Sequence, residues 1–180
     1  MNKSNIRYCR AKTDKELHQI LELQQKNLFA NITDEERKQE GFVTVSHSFE
    51  ILKKMNEACP HMIAKVNDKM IGYALCMHPL FSEAIAVLKP MFDEIKKVSP
   101  KPSNYIAMGQ ICIDKDYRKK GVFRNLYQNM SDFLKPEFDF IITEVDAKNI
   151  RSLNAHYAIG FKHLKSYNSG GQDWELIVLK

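Results

Sequence analysis

Apolar positions recur along this chain in two rhythms, and the changes between them mark out its elements. Ile6 to Arg10 reads as a short opening strand. Thr13-Asp14-Lys15-Glu16 then has the form of a capping box, in which a Thr hydroxyl and a Glu carboxylate take up free amides at a helix start. Leu17, Ile20, Leu21 and Leu28 continue it as a helix with one buried face. Phe29-Ala30-Asn31-Ile32 predicts a loop, and a second capping box, Thr33-Asp34-Glu35-Glu36, predicts a short helix ending near Gly41. A further helix is expected from Phe49 to Cys59, stopped by Pro60. His61 to Val66 and Met70 to Met77 alternate as two strands joined by a hairpin turn at Asn67-Asp68.

The second half continues the alternation. Ser82 to Val98 is helical in pattern and is expected to kink or split at Pro90. The segment from Ser99 to Ser103, with two prolines, reads as an extended connector, and Tyr105 to Ile113 as a strand. Residues 122 to 134 give the clearest helical stripe, formed by Val122, Phe123, Leu126, Tyr127, Met130, Phe133 and Leu134. Pro136 ends it. Phe138 to Val145, Phe161 to Tyr167 and Trp174 to Leu179 predict strands, with a helix from Asn149 to Ala158. Strands alternating with helices predict an α/β fold around a mixed central sheet.

Length and composition narrow the classes. At 180 residues, with 44% hydrophobic residues, the chain suits one domain with an ordinary core. Its apolar runs are short and broken by charge, so no membrane span is expected. The first five residues lead into no hydrophobic stretch, so no signal peptide is expected either. Cys9, Cys59, Cys76 and Cys112 lie far apart with no paired spacing. They read as thiols in a reducing compartment, with the cytoplasm as the expected location and no metal site. The charge of +5, from 27 basic and 22 acidic side chains, suits a phosphate-bearing partner. It is too diffuse to define a nucleic-acid footprint, and no stacking-aromatic or groove-helix signature accompanies it.

The chemistry concentrates in the stretch from Gln110 to Arg124, where a strand runs through a basic turn and a glycine into the amphipathic helix. Amides in a helix's first turn have no partner within the helix, and the helix dipole makes that end positive. Such a terminus receives anions. Gly121 carries no Cβ to hold a ligand off the backbone, and Arg118, Lys119, Lys120 and Arg124 surround it with cations. A diphosphate fits this arrangement; a solvated basic turn before a surface helix reads equally well.

Downstream, Asn149-Ile150-Arg151-Ser152-Leu153-Asn154-Ala155-His156 leads to Gly160-Phe161. Together with Arg118-Lys119-Lys120-Gly121-Val122-Phe123, this resembles the GNAT superfamily of acyl-CoA-dependent N-acetyltransferases. There, Q/R-x-x-G-x-G/A cradles the CoA pyrophosphate, and an Asn followed at i+7 by Tyr or His, then by Gly-Phe, lines the acyl end. Phe123 departs from the small residue of that pattern.

The resemblance implies a mostly antiparallel central sheet of six to seven strands, flanked by helices and splayed between the fourth and fifth strands. One domain over residues 1–180, with a helical insertion at about 79–100, is the expected organisation. The implied reaction is acetyl transfer from acetyl-CoA, a co-substrate, to a primary amine of a small molecule or peptide. In that scheme Ile111, Cys112 and Ile113 pair with the pantetheine arm. Arg118, Lys119, Lys120, Gly121, Val122, Phe123 and Arg124 hold the pyrophosphate, and Asn149 and Ser152 also contact CoA. A strand-end amide meets the oxyanion.

Glu144 stands where some members carry their general base, although the residue reads more readily as a strand carboxylate bonded to a neighbouring amide. No carboxylate occurs on Tyr105 to Ile113, so proton removal through water stays open. His156 occupies the i+7 position, within about 20° of Asn149 around the helix. It is read either as the acid near the departing thiol or as a hydrogen-bonded structural histidine. The resemblance implies that the amine is received near Leu28 to Val45, where Phe29, Phe42, Glu35 and Glu36 read either as its contacts or as ordinary surface and core. A non-catalytic acyl-CoA sensor with the same fold is the alternative, and the last strand offers an edge for a homodimer.

Overall fold

The structure, a computed structural model, describes residues 5–33, 35, 42–98 and 104–180. The expected helix after residue 33 and the connector at 99–103 lie outside the described residues. Seven strands form one sheet: β1 (Ile6–Arg10), β2 (Met62–Val66), β3 (Lys69–Met77), β4 (Tyr105–Ile113), β5 (Phe140–Asp146), β6 (Lys162–Ser169) and β7 (Gln172–Leu179). Their order is β1-β2-β3-β4-β5-β7-β6. Five α-helices accompany them among the described residues: α1 (Asp14–Asn27), α2 (Phe49–Ala58), α3 (Lys89–Val98), α4 (Val122–Leu134) and α5 (Ile150–Tyr157).

Two compact units divide the chain. The first comprises Met1–Cys76 and Gly109–Phe133, and the second Met77–Met108 and Leu134–Lys180. In the first, β1, β2 and β3 are paired antiparallel, and Asn67 turns the β2–β3 hairpin at φ 52°. α1 begins as its residues require. The Thr13 side chain accepts from the Glu16 amide at 3.2 Å, and Glu16 Oε2 accepts from the Thr13 amide at 3.2 Å and the Lys12 amide at 2.8 Å. The helix ends at Asn27, so Leu28, expected within it, is instead its extended C-cap, bridged to Val43. Leu17, Ile20 and Leu23 form its apolar buried face. Buried Val122, Leu126, Tyr127 and Met130 bear out the stripe of α4, whereas Phe133 is 46% exposed.

In the second unit β4 runs parallel to β5 over Tyr105–Ala107 against Phe140–Ile142. β5 and β7 are antiparallel, as are β7 and β6. The final strand is therefore paired on both sides, and the expectation that it supplies a dimer edge is corrected: β6 is the border strand there. The span from Ser82 is not one kinked helix. Short 3-10 turns at Pro79–Phe81 and Ala86–Leu88 precede α3, which contains Pro90 as its second residue. Proline lacks the N–H that a first helical turn leaves unused, so it initiates this helix where it was expected to break one. No helix among the described residues is long and apolar enough to cross a membrane.

Candidate active site

The half of the motif expected to receive an anion lies in the first unit. The Asp114 amide donates to Ile71 O at 2.9 Å, anchoring the end of β4 to β3. Asp114 Oδ1 then accepts from the Asp116 amide at 3.0 Å, turning the chain through residues 115–117. Lys119 has φ 60° and Gly121 φ 79°. Two left-handed residues so close together reverse the backbone just before α4. The first helical bond runs from the Asn125 amide to Gly121 O at 3.1 Å, so the amides of Val122 to Arg124 precede the helical ladder. A Cβ built on Gly121 meets only Asn125 Nδ2, at 3.7 Å. The backbone at Gly121 is therefore uncrowded on its Cβ side, which suits close approach of a ligand to the main chain.

The side chains around this turn divide their roles. Arg118, expected to face the phosphates, directs its guanidinium to Asn27 Oδ1 at 2.6 Å and Ile113 O at 3.2 Å. Lys120 Nζ lies 5.3 Å from the Tyr117 ring centroid, and Lys69 pairs with Asp114 at 3.2 Å. Phe123 packs edge to face with Tyr127 at 5.2 Å, so its ring does not need the space that the small family residue leaves. Lys119 and Arg124 stand in the same turn and in the first turn of α4.

β4 itself is locked by a buried polar network that the motifs did not disclose. Gln110 Oε1 accepts from Tyr73 Oη at 2.6 Å and from Gln24 Nε2 at 2.8 Å, while Gln110 Nε2 donates to Val45 O at 2.8 Å. The second hydrogen of Gln24 Nε2 is directed to His47 Nδ1 at 2.9 Å, which places the imidazole proton on Nε2. Burial lowers His47 to about 4, so the ring is neutral. The signal for this network is the alternation of β4, which puts Gln110 on the same inward register as Ile106, Met108 and Cys112. The network fixes the stretch running into Ile111, Cys112 and Ile113. Cys112 is buried, its thiol pushed up to about 12 chiefly by that burial, so it is no nucleophile at neutral pH.

The acyl half of the motif lies in the second unit. Asn149 caps α5, its Oδ1 accepting from the Ser152 amide at 3.1 Å. His156 is buried on the same helix face, with Nδ1 2.7 Å from Ser152 O and its ring edge to face with Phe161 at 5.1 Å. Burial lowers its pKa to about 4, outweighing the hydrogen bond to Ser152. The ring is neutral at pH 7, and Nδ1–H is the donor to the carbonyl. A neutral ring held to Ser152 O favours the hydrogen-bonded reading of this histidine.

Glu144 is the opposite case. Half-buried near the end of β5, its carboxyl is raised to about 7 by burial, against the lowering effect of a hydrogen bond from Tyr167 Oη to Oε2. A carboxylate with that value is matched to taking a proton near neutral pH. Tyr167 was not singled out by any motif. It lies 23 positions away in sequence and meets Glu144 only because β7 separates their strands. The four cysteines are free, and no cluster able to hold a metal occurs among the described residues.

A parallel β4–β5 pair and a glycine-led helix terminus agree with the resemblance that the two motifs carry. The acetyltransferase (GNAT) family matches residues 17–161, and the chain belongs to that family. No curated protein matches it. Among solved structures, the fold is shared with the ribosomal-protein-S18-alanine N-acetyltransferase of Escherichia coli. Identity there is 16% and the TM-score 0.64, covering 97% of this chain and 93% of that one. The yncA protein of Salmonella typhimurium, solved with acetyl-CoA, matches at 13% identity and TM-score 0.64, with coverages of 97% and 93%. An Arabidopsis thaliana protein solved with the bisubstrate analogue CoA-Ac-MVNAL matches at 14% identity and TM-score 0.63, with coverages of 97% and 98%.

Proposed function

We propose that this acetyltransferase moves an acetyl group from acetyl-CoA to a primary amine of a small molecule or peptide, with Glu144 as general base. The observation that carries the reading is the carboxyl of Glu144, held at about 7 where an ordinary glutamate would be fully ionised and a weak base. Acetyl-CoA enters as substrate. Its pyrophosphate meets the amides opening α4 after Gly121, with Lys119, Lys120 and Arg124 supplying cations. Its pantetheine arm runs along Ile111, Cys112 and Ile113, and Asn149 and Ser152 contact its acyl end. Arg118 contributes by holding the turn in shape. The whole chain acts as one acetyltransferase domain with 79–100 as an insertion, and its free thiols suit the cytoplasm.

The reaction balances without a metal. The Glu144 carboxylate takes a proton from the acceptor ammonium, and the freed lone pair forms the C–N bond at the thioester carbonyl. The C–S bond breaks with its electrons on sulfur, and the remaining excess proton on nitrogen passes to the thiolate. Amide and thiol leave, and Glu144 returns its proton to solvent. His156, neutral and tied to Ser152 O, shapes the acyl end. The bound bisubstrate analogue of the Arabidopsis neighbour supports an amine at a peptide N-terminus as one acceptor class.

Calorimetry with acetyl-CoA and thiol release over a panel of small amines and short peptides test this reading. Binding is expected, with at least one amine releasing CoA and Glu144→Gln slowing that release about 100-fold. Binding without thiol release from any amine would make the chain a sensor, and no heat of association at all would remove the acyl-CoA reading.

A further inference from the structure

We propose that Tyr167 is a positioning residue for Glu144: its phenol donates to Glu144 Oε2 and holds the carboxylate so that Oε1 receives the proton of the acceptor amine. The proposal rests on the reading of Glu144 as base and adds the group that sets that base to its task.

Sheet geometry makes the contact specific. Glu144 is level with Leu176 on β7, and Leu176 with Lys165 on β6; Trp174, two residues earlier on β7, is level with both Asp146 and Tyr167. Glu144, Leu176, Trp174, Lys165 and Tyr167 therefore share one face of the sheet. β5 and β6 stand two strand spacings apart, about 10 Å, so only a long side chain reaches across β7. Tyr167 does so with a polar atom at its tip, and its hydroxyl ends on the carboxylate.

The other charged groups on this face are engaged elsewhere. Lys165 pairs with Glu94 of α3, and Glu94 also holds Lys97 at 2.6 Å. Asp146 Oδ1 accepts from the Lys148 amide at 2.8 Å. Glu175, on the opposite face of β7, accepts from Ser166 and lies 2.9 Å from His163. Burial and the phenol are the two influences that set Glu144: the first raises its pKa and the second lowers it. Tyr167 itself is held protonated, raised by burial and by the neighbouring Glu144 charge, so it remains a donor throughout the working range. Without it, most of Glu144 would carry its proton at neutral pH, and fewer molecules would hold a carboxylate able to accept one.

The test is a carboxyl titration by NMR of protein labelled with carbon-13 at the glutamate side chains, with the Glu144 signal identified by its loss in Glu144→Gln. The wild-type midpoint is expected near 7. Tyr167→Phe should move it up by about one unit, a roughly tenfold smaller ionised fraction on the rising limb. 3-Fluorotyrosine installed at position 167 keeps the shape but is a stronger donor, and should move the midpoint down. It also keeps the proposal testable if Tyr167→Phe folds poorly.

A midpoint unmoved by either replacement overturns the proposal, even where thermal stability falls, because a tyrosine that only fastens β6 over β5 changes stability alone. Failure of the base reading looks different. The midpoint would still follow Tyr167, while Glu144→Gln would release thiol from the amine panel as fast as wild type.

Discussion

In the turn before α4, residues adjacent in sequence do separate jobs. Arg118 reaches back to the buried Asn27 and to Ile113 O, while Gly121 leaves its helix terminus clear. Arg118→Gln is therefore expected to lower stability by about 2 kcal/mol, through lost charged hydrogen bonds and a stranded Asn27 carbonyl, with acetyl-CoA affinity changing less than about threefold. Gly121→Ala forces a Cβ into a left-handed backbone and costs about 1 kcal/mol of stability. It should also weaken acetyl-CoA about tenfold by disturbing the amides proposed to meet the phosphates. Thermal melts and calorimetry on the two variants check this pair, and equal effects of both on affinity would contradict the division. At this scale the sequence disclosed which residue types were present but not their surroundings. His156 and Glu144 were both found by position, yet burial decides their proton affinity, holding the histidine neutral well into acid and raising the carboxyl toward neutral pH.

Among the elements, α1 shows how much can hang on one side chain. Glu16 closes the capping box with Oε2 and accepts from the buried Lys65 ammonium with Oε1 at 3.1 Å. Thr13→Ala should cost about 1 kcal/mol, as an ordinary cap does. Glu16→Ala should cost about 3 kcal/mol, because it also leaves Lys65 charged and unpaired in the interior. Chemical denaturation of the two variants checks the inequality. The box itself was legible, as were the bounds of β1, β4 and α4, because capping residues and periodicity are local signals. Pro90 was misread as a break because its effect depends on whether it stands within a helix or in its first turn. The place of β7 inside the sheet was not legible at all, since strand order is fixed by long-range pairing. Tyr167 stayed hidden for the same reason, and Gln110 hid behind a motif that drew attention to the residues after it.

For the whole molecule, buried histidines set the response to acid. Burial lowers His47 and His156 to about 4 and His61 to about 3. The unfolded chain binds protons at these groups from about 6.5 downward while the native chain does not, so their stabilisation is complete above 6.5 and declines as pH falls toward 4. Each accounts for about 2 kcal/mol over that range. Glu144 works against them, its contribution being present below 4.5 and lost as pH rises through about 7. Three groups outweigh one, so the melting temperature is expected to rise as pH goes from about 4.5 to about 6.5. Melts across that range check it, and a flat profile would show that the rings are solvated.

A last consequence follows from β6 standing at the border of the sheet, beyond β7. Its register shifts between His163 and Lys165, and Lys162 is exposed beside that irregularity. A bent strand is a poor template, and a lysine resists being covered by another strand. This margin therefore discourages a stray chain from zipping on and works against fibrillar growth.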